Sequence, residues 1–422
     1  MEMRPFGKLL PVEVAVRRIL TAARPIARQE NVVLSQSLGR VSSETFRAPF
    51  PVPPFARATW DGYAFRSMST RGASARHPAR FRIVGEVFAD RGYRRPLRTD
   101  EAVAIAAGGR LPPGADTMAI FETVRRTGAE VAVSRFVRVG ERVAATATDF
   151  RRGQVLVHRG DVLDPATVGS LGAAGRTDVR VFSRPRVSIL PNGNELVKPG
   201  HPLRGEQIYE TNNLTLGAII HANGGITLPH APLPDDADRI EEAVRKALTE
   251  SDLVLLTGGS SVGEHDYAPE VLPRVGRVLF HGIAVRPGKP TIAAVTQGHL
   301  VIGMPGHPTS SLSNSFWLLS PLLRHLGHLP GPGWVDTSCR LARAGDHPSR
   351  DLSAVLSLRV VDGWGYPTFH GSHAVTGLRG VNAFAILPPG TPRLRAGQRL
   401  AVHLLPEPIG APAGSLDGDR GR

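Results

Sequence analysis

The chain has 422 residues, of which 41% are hydrophobic and 21% charged, the composition of a soluble globular protein too long for one core, so two to four domains are expected. No apolar run reaches the ~18–20 residues that span a bilayer, and Glu13, Arg17 and Arg18 spoil the N-terminal segment as a signal peptide. The lone Cys339 excludes an internal disulfide, and the formal net charge is +14; the expected location is cytoplasmic, with no membrane partner.

In chain order, apolar residues at Val12, Val16, Ile19 and Leu20 have helical spacing, predicting a short amphipathic helix within Leu10–Ala23. The proline-rich stretch Pro49–Pro54 predicts an extended crossing. From Phe81 to Val139, short β-like runs alternate with Gly and Pro turns, which reads as a mostly β domain. Arg57–Arg98 is the densest basic stretch, with Phe81, Phe88 and Tyr93 among its arginines, yet it lacks a nucleic-acid module and no nucleic-acid partner is expected. Only four of the 51 basic residues are lysines (Lys8, Lys198, Lys246, Lys289), an arginine bias that reads more as codon composition than as a polyanion surface. The charge still attracts an anionic small molecule.

Residues 153–182 predict Gly-rich turns, a helix near Pro165–Ala174 and a strand at Val179–Phe182. After Pro185 the pattern changes to strand–loop–helix. Strands are predicted at Val187–Leu190, Ile226–Leu228, Leu253–Thr257 and Leu300–Gly303, and helices at Asn212–Ala222, Asp238–Glu250 and from about Ser310. That repetition implies a mainly parallel sheet with helices on both faces. Val335–Leu405 reads as a small β domain, and the Gly/Pro/Asp-rich tail after Pro406 as disordered.

Ligands of an open α/β sheet bind beyond the carboxyl ends of its strands. Four loops qualify here: Asn192–Glu195; the one containing Asp235 and Asp236; Gly258–Tyr267; and Pro305–Pro308 with Thr309, Ser310 and Ser311. In the third, Gly258, Gly259 and Gly263 allow close main-chain approach, and Ser260 and Ser261 add hydroxyls, which suits a phosphate; an ordinary turn is an equal reading. Glu264 and Asp266 beside a phosphate call for a bridging hard cation, Mg²⁺ by economy. The fourth loop opens a helix, where free N–H groups favour an anion, although plain N-capping also accounts for Thr309 and Ser310. Arg286-Pro287-Gly288-Lys289-Pro290 offers two cations on a rigid turn. Neither a zinc site nor a Gly-x-Ser-x-Gly nucleophile is expected.

Five ordered segments together resemble the molybdopterin molybdenumtransferase family, the MoeA and gephyrin E-domain group. They are Asp61-Gly62-Tyr63-Ala64 after Pro53-Pro54-Phe55, Gln207–Asn212, Gly258–Tyr267, Arg286–Pro290 and Met304–Pro308. The similarity runs from about Leu10 to Leu405. It implies an α/β multidomain fold: a mainly parallel α/β sheet domain (183–332) flanked by an elongated dimerisation domain (1–48 and 146–182), a β domain (49–145) and a C-terminal β barrel (333–405), with 406–422 as tail. It implies a homodimer that inserts molybdate into adenylylated molybdopterin, with Mg²⁺ present and AMP released. Asp61, Glu195, Asp236 and Asp266 are then the catalytic acids, Asp61 coming from the second subunit, and Glu195, Asp236 and Asp266 are the metal candidates. Gly258, Gly259, Ser260, Ser261, Gly263, Arg286, Lys289, Pro305, Gly306, Pro308, Thr309 and Ser310 are the substrate-binding candidates.

The chain departs from the family pattern near this site. Asn192-Gly193-Asn194-Glu195 stands for Thr-Gly-Asp-Glu, and Ala144–Asp149 for Arg-x-x-Gly-Glu-Asp. Ala107–Arg110 stands for Thr-Gly-Ala-Pro, and His307 for Asn. These changes keep two alternatives open: a weakened molybdopterin-binding paralogue or scaffold, and an enzyme for a related nucleotide-linked substrate.

Overall fold

The computed structural model describes residues 8–258, 266–345, 351–368 and 375–406. The chain divides into two compact units, one of Met1–Glu30, Gly39–Val41 and Val181–Arg422, the other of Asn31–Leu38 and Ser42–Arg180.

The second unit is built on a six-stranded sheet in the order Thr117–Ile120, Gly62–Phe65, Glu101–Ile105, Ala79–Val87, Glu130–Val133, Val124–Thr127. Neighbours run antiparallel except Ala79–Val87 with Glu101–Ile105. Side chains alternate between two cores: Tyr63 and Phe65 join Phe81, Val131 and Val133 on one face, while Ala64 joins Val87, Val103, Ile105 and Met118 on the other. That alternation is the period of two dictated by the strand pleat. The predicted helix spans Pro165–Ala173, where Asp164 Oδ1 accepts the Thr167 N–H at 2.7 Å and the following proline needs no hydrogen-bond partner at the first helical position.

The first unit holds the α/β sheet, in the order Ile226–Pro229, Arg186–Pro191, Leu253–Thr257, His299–Met304, Ile292–Thr296, Arg277–His281. The first four strands are parallel; the last two pair antiparallel, an addition that the strand–loop–helix pattern does not reveal. Leu253–Thr257 is buried at every position, which is why it lacks polar alternation. Leu253 and Leu255 pack on the side of Leu216 and Ile220 from helix Asn212–Ala222, and Val254 and Leu256 on the side of Ile240, Val244 and Leu272. Helices therefore cover both faces, and each fully buried aliphatic side chain contributes about 1.5–3 kcal/mol.

Helix Val12–Ala22 buries Val12, Ala15 and Ile19 in the first of these clusters. A five-stranded barrel follows, in which Ser353–Val361 pairs with both Trp364–Pro367 and Ala383–Leu387, and Val335–Leu341 with Arg399–Leu404 and Trp364–Pro367. Ala383–Leu387 also pairs with Arg399–Leu404, so the ring closes. Among the described residues no helix is long and apolar enough to cross a membrane.

Candidate functional site

The chain leaves strand Arg186–Pro191 for the edge strand Ile226–Pro229, then returns to the other side at Leu253–Thr257. Strand order thus reverses between Arg186–Pro191 and Leu253–Thr257, and the crevice at their carboxyl ends is where such sheets take ligands.

The strand-end loops meet at this point. Asn192 is buried (4% exposed); its main-chain N–H donates to Thr257 O at 3.0 Å, and its amide, oriented to donate, reaches Thr257 O at 2.9 Å and Gly258 O at 3.0 Å. Gly258 has φ +92°, and a Cβ there would lie 2.6 Å from Asn192 O, so this position needs glycine twice over. A Cβ on Gly306 would lie 3.1 Å from the Cα of Gly258. Asn212, at the start of its helix, donates from Nδ2 to Gly306 O at 3.1 Å. Thr257 Oγ1 and Asn212 Oδ1 are buried at the same strand ends and have no hydrogen-bond partner among the described residues.

Two of the acidic candidates, Glu195 and Asp236, sit on loops that Asn194 and Asp235 tie together. Gly193 N–H donates to Leu233 O at 3.1 Å, and Asn194 and Asp235 exchange main-chain-to-side-chain hydrogen bonds at 3.2 and 3.3 Å. The Glu195 carboxylate folds back over Gly193, where an added Cβ would lie 2.6 Å from Glu195 Oε2. Asp236 caps helix Ala237–Glu250, Oδ1 accepting the N–H groups of Asp238 and Arg239, each at 3.0 Å. Asp266 is half-buried just before helix Ala268–Val275. Gly259, Ser260, Ser261 and Gly263, with Glu264, lie outside the described residues. Pro305, Thr309 and Ser310 are buried and Pro308 half-buried, while Gly306 and His307 of the turn after strand His299–Met304 are exposed.

The two cations of Arg286–Pro290 are held from behind. Arg286 is exposed and Lys289 half-buried, while Asn314 donates to Gly288 O at 3.1 Å and to Thr291 Oγ1 at 2.8 Å. Gly288 has φ +106°, with no room for a Cβ beside Asn314. His230 lies at the end of the edge strand, its ring 3.2 Å from Ser188 Oγ, and burial pushes the imidazole below its ordinary pKa against the pull of Glu250. Sequence reasoning missed Asn192 as a tie between strand ends and Asn314 as a clamp; an amide spaced far from its partner gives no periodic signal.

Asp61 belongs to the other unit. It is exposed, and its Oδ1 accepts the Ala107 N–H at 2.8 Å. Gly62 beside it would place a Cβ 2.0 Å from Ala119 O, and Tyr63 is buried with its ring edge-on to Phe121 at 5.1 Å. Among the described residues no group of three His, Cys, Asp or Glu side chains gathers to hold a metal. The donor set still fits Mg²⁺, which uses one or two carboxylates plus substrate phosphate rather than an all-protein cage.

Two family models match the chain: the MoeA N-terminal region (domain I and II) over residues 10–175 and a probable molybdopterin binding domain over 188–325. A crystal structure of the molybdopterin biosynthesis MoeA protein from Pyrococcus horikoshii is 33% identical, with a TM-score of 0.81, covering 94% of this chain and 99% of that one. The chain belongs to the molybdopterin molybdenumtransferase family. A molybdopterin molybdenumtransferase of Bacillus subtilis is 29% identical over 411 residues, 95% of each chain, and one of Staphylococcus aureus 26% identical over 400 residues, 94% of this chain and 95% of that one.

Membership gives the departures structural meaning. Where the molybdenumtransferase pattern has glycine, Ala147 adopts φ +63°, the left-handed region in which an alanine costs about 1–2 kcal/mol. Its N–H donates to Pro53 O at 3.0 Å, which holds it there.

Proposed function

We propose that this molybdenumtransferase-family chain inserts molybdate into the dithiolene of adenylylated molybdopterin and releases AMP. The observation that supports the reading best is the meeting of Asn192, Gly258 and Gly306 at the point where strand order reverses, with Asn194 tied to Asp235 alongside.

In this reading, main-chain N–H groups of the helix opening at Pro308 hold phosphate oxygens. Arg286 and Lys289 supply counter-charge from a clamped turn, which orients the pterin phosphate. One or two of Glu195, Asp236 and Asp266 would hold Mg²⁺, since among the described residues the three do not gather as a single ligand group; when bound, it offsets the charge that builds on the departing AMP. Buried Pro305, Thr309 and Ser310 back the turn and help to keep water from the reacting phosphate, while Gly306 and His307 are exposed. The protein acts as a homodimer, residues 1–48 and 146–182 forming its dimerisation domain, and Asp61 reaches the site from the second copy.

Purified protein given adenylylated molybdopterin, molybdate and Mg²⁺ should release AMP. Asp266→Asn should cut the rate about 100-fold in protein that remains folded, since one preorganised charged group is worth a few kcal/mol. A folded wild-type protein that releases none sinks the reading. The left-handed Ala147 and the missing arginine at Ala144 favour one second reading, a weakened molybdopterin-binding paralogue; it predicts pterin binding without turnover.

A further inference from the structure

The unit that carries Asp61 presents a patch that none of the preceding chemistry uses. Three segments, 55–61, 107–111 and 142–144, are stitched together by main-chain hydrogen bonds: Ala58 N–H to Gly109 O at 2.9 Å, Leu111 N–H to Ala56 O at 2.9 Å, and Thr59 N–H to Arg142 O at 3.0 Å. On this frame Trp60 is 54% exposed, with the Arg142 guanidinium 5.6 Å from its ring centre. Arg110 lies 5.3 Å from the ring of Phe55. Arg57 and Arg110 are bridge partners across the frame, and Ala144 pairs with Arg57 on its other side. Among the described residues no carboxylate forms an ion pair with Arg57 or Arg110, while Arg142 acts on the neighbouring Glu141 carboxylate.

Like charges opposite each other on neighbouring strands destabilise a sheet. An exposed tryptophan leaves a large apolar ring in water. Both features cost stability in the free protein, and both are satisfied by one kind of guest: a fused heteroaromatic ring bearing a phosphate. The ring stacks on the open face of Trp60, and the phosphate lies against the arginines.

We infer that Trp60, Arg57 and Arg110 form a binding surface for the phosphorylated aromatic ring of a nucleotide-linked substrate. The inference rests on the proposed transfer reaction for its substrate class. It also gives a physical account of one departure: with Ala144 in place of arginine, the paired position Arg57 and its other partner Arg110 carry cations on the same frame.

The test is calorimetric titration of the full-length protein with AMP, with 6-hydroxymethylpterin and with inorganic phosphate, alongside AMP-release kinetics. AMP should bind the wild type, Trp60→Leu should weaken it about tenfold, and Trp60→Phe should recover most of the loss. Arg110→Gln should weaken AMP and phosphate alike. A pterin that depends on Trp60 when AMP does not assigns the ring to the pterin end of the substrate and supports the surface. Equal binding of both rings to wild type and Trp60→Leu overturns it, as does binding of neither at millimolar concentration. Wild type that binds AMP through Trp60 but never releases AMP from the adenylylated substrate defeats the transfer reaction and spares the surface. Normal release with KM unchanged in Trp60→Leu does the reverse.

Discussion

Asn194 and Asp235 hold each other across two strand-end loops, the N–H of Asn194 on Asp235 Oδ2 at 3.2 Å and the N–H of Asp235 on Asn194 Oδ1 at 3.3 Å. The family pattern has aspartate at position 194, and either side chain can accept from the Asp235 N–H. The difference is charge: an aspartate there faces a second carboxylate. Asn194→Asp should therefore lower the melting temperature without Mg²⁺ and respond more strongly to added Mg²⁺ than wild type does. Thermal melts with and without the ion measure this, and an identical Mg²⁺ response in the two proteins contradicts it.

Gly258→Ala adds a methyl group 2.6 Å from Asn192 O at a residue with φ +92°. Steric overlap with main chain cannot be relieved by a rotamer change, so the strand ends must separate. The expected cost is about 1–3 kcal/mol of stability and at least a tenfold loss of AMP release. Retention of full activity shows that the contact does not position the site.

Ala147→Gly removes the left-handed strain at φ +63°. The gain should be about 1 kcal/mol, a rise of roughly 2–4 °C in the transition of its unit. Differential scanning calorimetry reads it directly; a lowered transition rejects strain as the description of this residue.

Glu101 is 1% exposed, and its carboxyl is held below the ordinary glutamate range by the Arg98 main-chain N–H and by Arg95 and Arg82, against the opposing effect of burial. A folded pKa below the unfolded one means the stabilisation is present above about pH 4.3 and is lost as pH falls through the lower folded value. Glu101→Gln should be clearly less stable than wild type at pH 7, with the gap closing at the acid end. Denaturant midpoints at pH 7 and pH 3 check it, and a gap of constant size refutes it.

Much of the molecule was legible in one dimension. Helical spacing gave Val12–Ala22, unbroken apolar runs gave Leu253–Thr257 and His299–Met304 to within a residue or two, and helix Asn212–Ala222 was read to its ends. Gly62 and Gly258 stood in recognisable motifs because no other residue fits where main chain passes so close. These are local properties: burial period, capping and chain approach are written in consecutive residues. Only the tertiary structure decided the order of the strands and the antiparallel pair Arg277–His281 and Ile292–Thr296. It also decided that Asn212 would bind the turn at Gly306, 94 residues away, and that Arg57 would face Arg110. The reason is that pairing between distant segments depends on which surfaces remain to be buried once the local elements exist, and a sequence read in order carries no direct record of that competition.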